Sequence, residues 1–356
     1  MTSFSPRERA RPRNEYPVRE VAGARLRVTT ARGSGTVPFY RCAHEASDAR
    51  VSRVVIVLHG RLRDADAYLL SAQLALAAAD VDAADTLLIV PQFLASADIV
   101  AHGLDQDTLH WDWTGWMGGD DALGPAPVSS FDVLDSLVEE VADRSRFASL
   151  REVVIAGHSG GAQVVHRYAV VGRAAALLEE QGVHCRYVIA NPSSYVYFDK
   201  LRPDGNGRYS PADESTCAGV DTWKYGIHRP PRYASGDASF DVLEQRYVRS
   251  DVIYLLGEAD CDPQHQALDR SCAANAQGPH RLARGLAYFE YLRLRHPQLA
   301  HRCWQVPSVG HNGQGMFNSA EGLLALFDAE SRADGLGAGG GVLDGQGTSS
   351  EGGATE

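Results

Sequence analysis

The sequence predicts an α/β protein with a mostly parallel, twisted sheet covered by helices on both faces. Three observations carry this. Short β-branched runs alternate with longer runs of helical period along most of the chain. Alternation of this kind implies parallel strands joined by crossover helices. Several of the runs, such as Val54 to Leu58 and Asp251 to Leu256, are almost uninterruptedly apolar and read as buried strands. Finally, the run Val153–Ile155 leads through a glycine-flanked serine straight into an Ala/Val-rich helical stretch.

Taken in order, 25–30 and 36–41 read as an N-terminal hairpin, 53–58 as a strand, 65–79 as a helix and 86–91 as a strand. A helix over 130–147 follows, then strand 151–157, helix 161–172 and strand 186–190. Strand 251–256, helix 281–295 and strand 302–307 complete the pattern. Two stretches interrupt it. Residues 109–119 hold Trp111, Trp113 and Trp116, three of the five tryptophans, and Asn191–Ser250 is rich in Tyr, Pro and Gly. Long insertions are usually functional or disordered, and the aromatic content argues against disorder here.

The strand before Ser159 and the helix after it make Gly157-His158-Ser159-Gly160-Gly161 a strand–turn–helix elbow. The turn forces the serine into a strained backbone conformation, which calls for glycine at 157 and 161. It also exposes the hydroxyl above the sheet edge and sets the Gly160 amide to donate to an oxyanion. Asp260 follows the strand ending at Leu256, and His311 follows the strand 302–307. Serine, acid and histidine thus fall in order on loops after strands.

Over roughly residues 25–330 the chain resembles the α/β-hydrolase superfamily, whose nucleophile, acid and histidine follow this order. The resemblance implies an α/β-hydrolase fold and a serine hydrolase acting through an acyl-enzyme. Ser159 would be the nucleophile and His311 the base that takes its proton and returns it to the leaving group. Asp260 would orient the imidazole. Asp262 is the nearest rival for the acid and Asp251 the next, but Pro263 favours a turn role for Asp262. In the superfamily the loop after the strand ending in His59-Gly60 gives a second oxyanion donor, here the Arg61 amide. His59 reads as a structural hydrogen-bonder, and His158 as packing or bonding locally within the elbow.

The same resemblance implies that 193–249 forms a cap over the nucleophile. Trp111, Trp113, Trp116 and Tyr195 are then expected to wall a substrate pocket, favouring an apolar or aromatic small-molecule substrate. The segment from Gln277 to Arg281, leading into helix 281–295, is placed to support the acid loop from below. Esters are the default substrates, with thioesters and amides open. The alternatives are an acyltransferase or cyclase with the same triad, and a non-catalytic binding protein on the same fold.

Composition fits one enzyme domain over 23–331, with a flexible leader over 1–22 and a Gly-rich disordered tail over 332–356. Apolar residues make up 44% and charged residues 22% of the chain, ordinary values for a globular protein. The formal charge is −11, but Asp328–Glu356 alone holds six acids and one arginine, a local balance of −5. The remaining body is only mildly acidic and has no basic stripe, which argues against nucleic acid as a partner. No apolar run approaches a membrane span. The Arg-rich leader lacks the apolar core of a secretory signal, so a cytoplasmic location is expected.

No cofactor or metal is expected. The tail's Gly335–Gly340 matches G-x-G-x-x-G without a strand before it or a helix after it, and His44-Glu45 lacks the second histidine of a zinc helix. The six cysteines show no C-x-x-C pair, and most read as free thiols. Cys261 and Cys272 bracket a loop after the acid, where a disulfide would fix Asp260, but the missing secretory signal disfavours one. Nothing in the sequence marks an oligomeric state.

Overall fold

The computed structural model describes residues 15–43, 47–235 and 238–329. Met1–Asn14, the His44-Glu45 pair and the Gly-rich tail with its G-x-G-x-x-G match lie outside the described residues. Eight strands form the main sheet: β1 (Ala24–Thr30), β2 (Gly33–Ala43), β3 (Arg53–Leu58), β4 (Thr86–Pro91), β5 (Glu152–His158), β6 (His184–Ala190), β7 (Asp251–Gly257) and β8 (Arg302–Val306). Their spatial order is β1-β2-β4-β3-β5-β6-β7-β8. The β1–β2 and β2–β4 pairs are antiparallel. Every pair from β4 to β8 is parallel.

The apolar runs are continuous because both faces of these strands are buried. Val54, Ile56 and Leu58 of β3, with Val153 and Ile155 of β5 and Tyr254 and Leu256 of β7, face one core. Val55, Val57, Val154, Ala156, Ile253 and Leu255 face the other. The first core is closed by α2 (Ser130–Ala142), α3 (Gly160–Val171) and α4 (Arg281–Arg295), the second by α1 (Ala65–Ala78), α5 (Gly313–Phe317) and α6 (Ala320–Phe327). Each fully buried aliphatic or aromatic side chain contributes roughly 1.5–3 kcal/mol to this two-sided core.

The structure departs from the sequence reading at several points. The α2 helix ends at Ala142 instead of 147, because Asp143 turns away and its carboxylate accepts from the Ser145 amide at 2.9 Å. Residues 15–22 pack on the body: Val18 and Ala22 are buried, and their amides donate to Asp98 Oδ1 and Gln92 Oε1. The described part of the expected flexible leader is therefore held by buried side chains.

The insertion is built into the flank of the body. Tyr195, Val196, Tyr197, Phe198, Tyr233 and Tyr247 join the core on the α4 side of the sheet. Lastly, the disulfide joins Cys217 of the insertion to Cys272, with 5.6 Å between Cα atoms, while Cys261 is free and exposed. The fold, which places Cys272 beside a residue 55 positions upstream, decides that pairing.

Candidate active site

Ser159 sits between β5 and α3 with φ 58° and ψ −112°. A serine in that region costs of order 1–3 kcal/mol and persists only where its surroundings over-determine it. They do so here. The Ser159 amide donates to the Ala190 carbonyl at the end of β6 (2.9 Å), and the Ser159 carbonyl accepts from the Gln163 amide in α3 (3.1 Å). The flanking glycines are needed for close approach. A Cβ on Gly157 would lie 2.4 Å from the Gly161 carbonyl carbon, and one on Gly161 would lie 2.2 Å from the Leu58 oxygen at the end of β3.

The structure brings the three predicted side chains together. His311 Nε2 is 2.9 Å from Ser159 Oγ, and His311 Nδ1 is 2.8 Å from Asp260 Oδ2. With a carboxylate on Nδ1, the ring proton belongs there, and Nε2 is left to accept from the serine hydroxyl. The acid and histidine loops are tied to each other. The Glu258 and Ala259 amides donate to the Val306 and Val309 carbonyls at 3.0 Å. Buried Asn191, at the end of β6, accepts from the Gly257 amide (2.8 Å) and donates to the Gly310 carbonyl (3.3 Å). The sequence reading overlooked Asn191, whose only sign is an Asn just past an apolar strand.

Both rival acids lie elsewhere. Asp262 is exposed and accepts from the Gln264 amide in a turn at Pro263. Asp251, at the opposite end of β7, pairs with Arg186, Arg302 and His184. Asp260 is buried with only 3% of its surface exposed. Burial opposes its ionisation, but the hydrogen bond and charge of His311, together with Arg281, outweigh that and hold the carboxyl below its ordinary range. The His311 imidazolium is disfavoured by burial and by the Arg281 charge, which outweigh Asp260, so the ring loses its proton below the ordinary histidine value. A neutral imidazole beside a carboxylate is the form a general base requires.

Near the serine, a Cβ on Gly160 would lie 2.9 Å from the Arg61 amide nitrogen, so the loop after β3 rests directly on the elbow. His59 fixes that loop. Its Nε2 accepts from the Phe93 amide (3.0 Å), and its Nδ1 lies 2.8 Å from the Gly60 carbonyl. Burial pushes the His59 pKa down to about 4, consistent with a neutral ring in that bonding pattern. His158 is almost fully buried, its Nδ1 is 3.0 Å from the Tyr68 hydroxyl, and its ring lies 4.6 Å from the His311 ring, centroid to centroid.

A cavity of about 970 Å³ opens over Ser159 and His311. Its lining is mixed: Leu62, Ala67, Tyr68 and Ala267 contribute beside Arg61 and His265, and the exposed polar side chains of Asp262, Gln264, Asn312 and Gln314 border it. None of Trp111, Trp113, Trp116 or Tyr195 lines this cavity, and neither does any described residue of 193–249, which corrects the pocket-wall and cap expectations. Trp116 is fully buried and stacks on Phe93 at 5.2 Å. Trp111 is buried, with its indole N–H on the Asp120 carbonyl. Half-buried Trp113 lies under the Arg63 guanidinium, and Tyr195 stacks on Tyr288 at 4.7 Å. These rings pack irregular segments onto the sheet. From the tryptophan-rich segment the elbow is met instead by Met117, whose sulfur would lie 2.8 Å from a Cβ on Gly160.

No protein-family model and no curated protein matches the chain. Among solved structures it is similar to poly(aspartic acid) hydrolase-1 from Sphingomonas sp. KT-1, at 23% identity and a TM-score of 0.55, over 85% of this chain and 96% of that one. It is also similar to a poly(3-hydroxybutyrate) depolymerase from Bordetella parapertussis, at 22% identity and a TM-score of 0.55, over 87% and 92% of the two chains. At these identities the likeness is one of architecture. The chain has the α/β-hydrolase fold.

Proposed function

We propose that the protein is a serine hydrolase that cleaves a carboxylic ester through an acyl-enzyme on Ser159. The observation that carries this reading is the continuous hydrogen-bonded line Ser159–His311–Asp260, built on a strained elbow at the floor of an open cavity. In the forward step the Ser159 oxygen attacks the ester carbonyl while His311 Nε2 takes its proton. Asp260 stabilises the resulting imidazolium, and the Gly160 and Arg61 amides face the developing oxyanion. Collapse transfers the proton to the departing alcohol. A water, deprotonated by the same nitrogen, then releases the acid.

The polar side chains bordering the cavity, with the tryptophans packed elsewhere, favour a substrate with hydrogen-bonding groups around the ester over the apolar or aromatic moiety the tryptophans suggested. Its exposed rim favours water as acceptor, where an acyltransferase or cyclase needs a dry site. The disulfide supports an oxidising compartment over a cytoplasmic one. Among the described residues no helix is long and apolar enough to cross a membrane.

The test is turnover of p-nitrophenyl esters with graded apolar and polar acyl groups, followed by product analysis with and without an added alcohol. The expected result is free acid as the main product in both cases, with polar acyl groups preferred. Transfer of most of the acyl group to the alcohol would move the assignment to an acyltransferase. No turnover of any ester would overturn it.

A further inference from the structure

The first turn of α4 carries a buried cation that the triad chemistry above does not use. Arg281 is 1% exposed, yet its Nη1 lies 3.2 Å from Asp260 Oδ1, the carboxylate oxygen that His311 leaves free. Its Nε donates to Ser193 Oγ at 3.2 Å, while its Nη2 has no partner among the described residues. Burying a guanidinium with an unsatisfied donor is expensive, and a backbone amide would hold a carboxylate oxygen at lower cost. The helix is locked in place around it. The Leu282 amide donates to the Asp260 carbonyl (3.2 Å), and Arg284, one turn on, donates to the Ser193 and Asp269 carbonyls at 2.6 and 2.9 Å.

We propose that Arg281 is a positioning residue for the triad acid: it fixes the plane of the Asp260 carboxylate and sets the pH at which His311 becomes a base. This rests on the hydrolase reading above. Held by Arg281 on Oδ1, the carboxylate cannot rotate Oδ2 away from His311 Nδ1. The same positive charge disfavours a proton on His311, so the neutral base persists to lower pH than it would beside Asp260 alone.

The groups facing the pair are few. Asp262 and His265 lie around Arg281 from the acid loop, Arg61 from the loop after β3 and Arg284 from α4 itself, while His280 at the start of α4 faces Asp260. His158 and His265 flank the His311 ring at 4.6 and 4.9 Å, and the buried phenol of Tyr195 faces Asp260. Burial and neighbouring positive charges push His158 well below, and His265 below, the ordinary histidine value. Asp260, Asp262, Arg61, Arg281 and Arg284 supply the fixed charge.

The experiment reads the rate of fluorophosphonate labelling against pH, which needs only Ser159 and its base. For the unaltered protein the acidic limb should have its midpoint below about 6.5, the ordinary histidine value. Arg281→Met should raise that midpoint by about one pH unit and slow labelling at its plateau. Arg281→Lys, which keeps the charge, should leave the midpoint within a few tenths of a unit while losing part of the rate. A folded Arg281→Met protein with an unshifted limb would overturn the proposal. If that variant does not fold, a midpoint at or above about 7 in the unaltered protein overturns it equally. A purely structural role would lower the folded fraction and leave the limb in place. Failure of the unaltered protein to label at any pH would instead strike the hydrolase reading.

Discussion

Asp260→Asn should lower kcat/KM for an activated ester about ten-thousand-fold, because an amide on His311 Nδ1 no longer selects the tautomer that leaves Nε2 free to accept from Ser159. The substitution also leaves the buried Arg281 charge without its counter-ion, so melting temperature should fall as well. The rate comparison is therefore made per folded molecule, with near-ultraviolet circular dichroism giving the folded fraction. Asp262→Asn is the internal control. Its carboxylate sits at the exposed cavity border and, among the described residues, bonds only its own turn, so kcat/KM should change by no more than about threefold. The reverse ranking would transfer the acid role to Asp262 and break the line of hydrogen bonds on which the mechanism depends.

Gly161→Ala should destabilise the fold by more than about 3 kcal/mol, since the added methyl carbon meets backbone instead of a side chain that can move. It would lie 2.2 Å from the Leu58 oxygen and 2.7 Å from the His59 oxygen, so β3 and the elbow would have to separate. Urea unfolding measures the loss. Gly182→Ala is the contrast. Gly182 has φ +67° but no atom of the described residues within 4 Å of a new Cβ, so it should cost only about 1 kcal/mol, from backbone strain. Equal stability of the two variants would mean that the contact between β3 and α3 is looser than the structure places it.

Much of the frame was legible in the sequence because buried parallel strands and tight elbows leave little freedom in residue choice. Val54–Leu58, Val153–Ile155 and Val252–Leu256 must be apolar on both faces, and Gly157 and Gly161 must lack side chains. Ser159, Asp260 and His311 could be named from position alone, each lying just past such a strand. What stayed hidden depends on contacts between distant segments. A cluster such as Trp111–Trp116 looks the same whether it walls a ligand or packs a loop onto the sheet, and here it packs against Phe93 and His59. The aromatics of 193–249 likewise complete the core. Arg281 was visible as the start of a helix near the acid loop, but its ion pair with Asp260 exists only once α4 docks on β7. Cys217 could not be matched to Cys272 without the fold that brings them together.

The central claim, that Ser159 is a nucleophile activated by His311, is tested most directly by locating the adduct of a fluorophosphonate probe by peptide mass spectrometry. One adduct per chain is predicted, on Ser159, with labelling and ester turnover both lost in Ser159→Ala. An unlabelled native protein, or an adduct that persists in the alanine variant, would contradict the assignment.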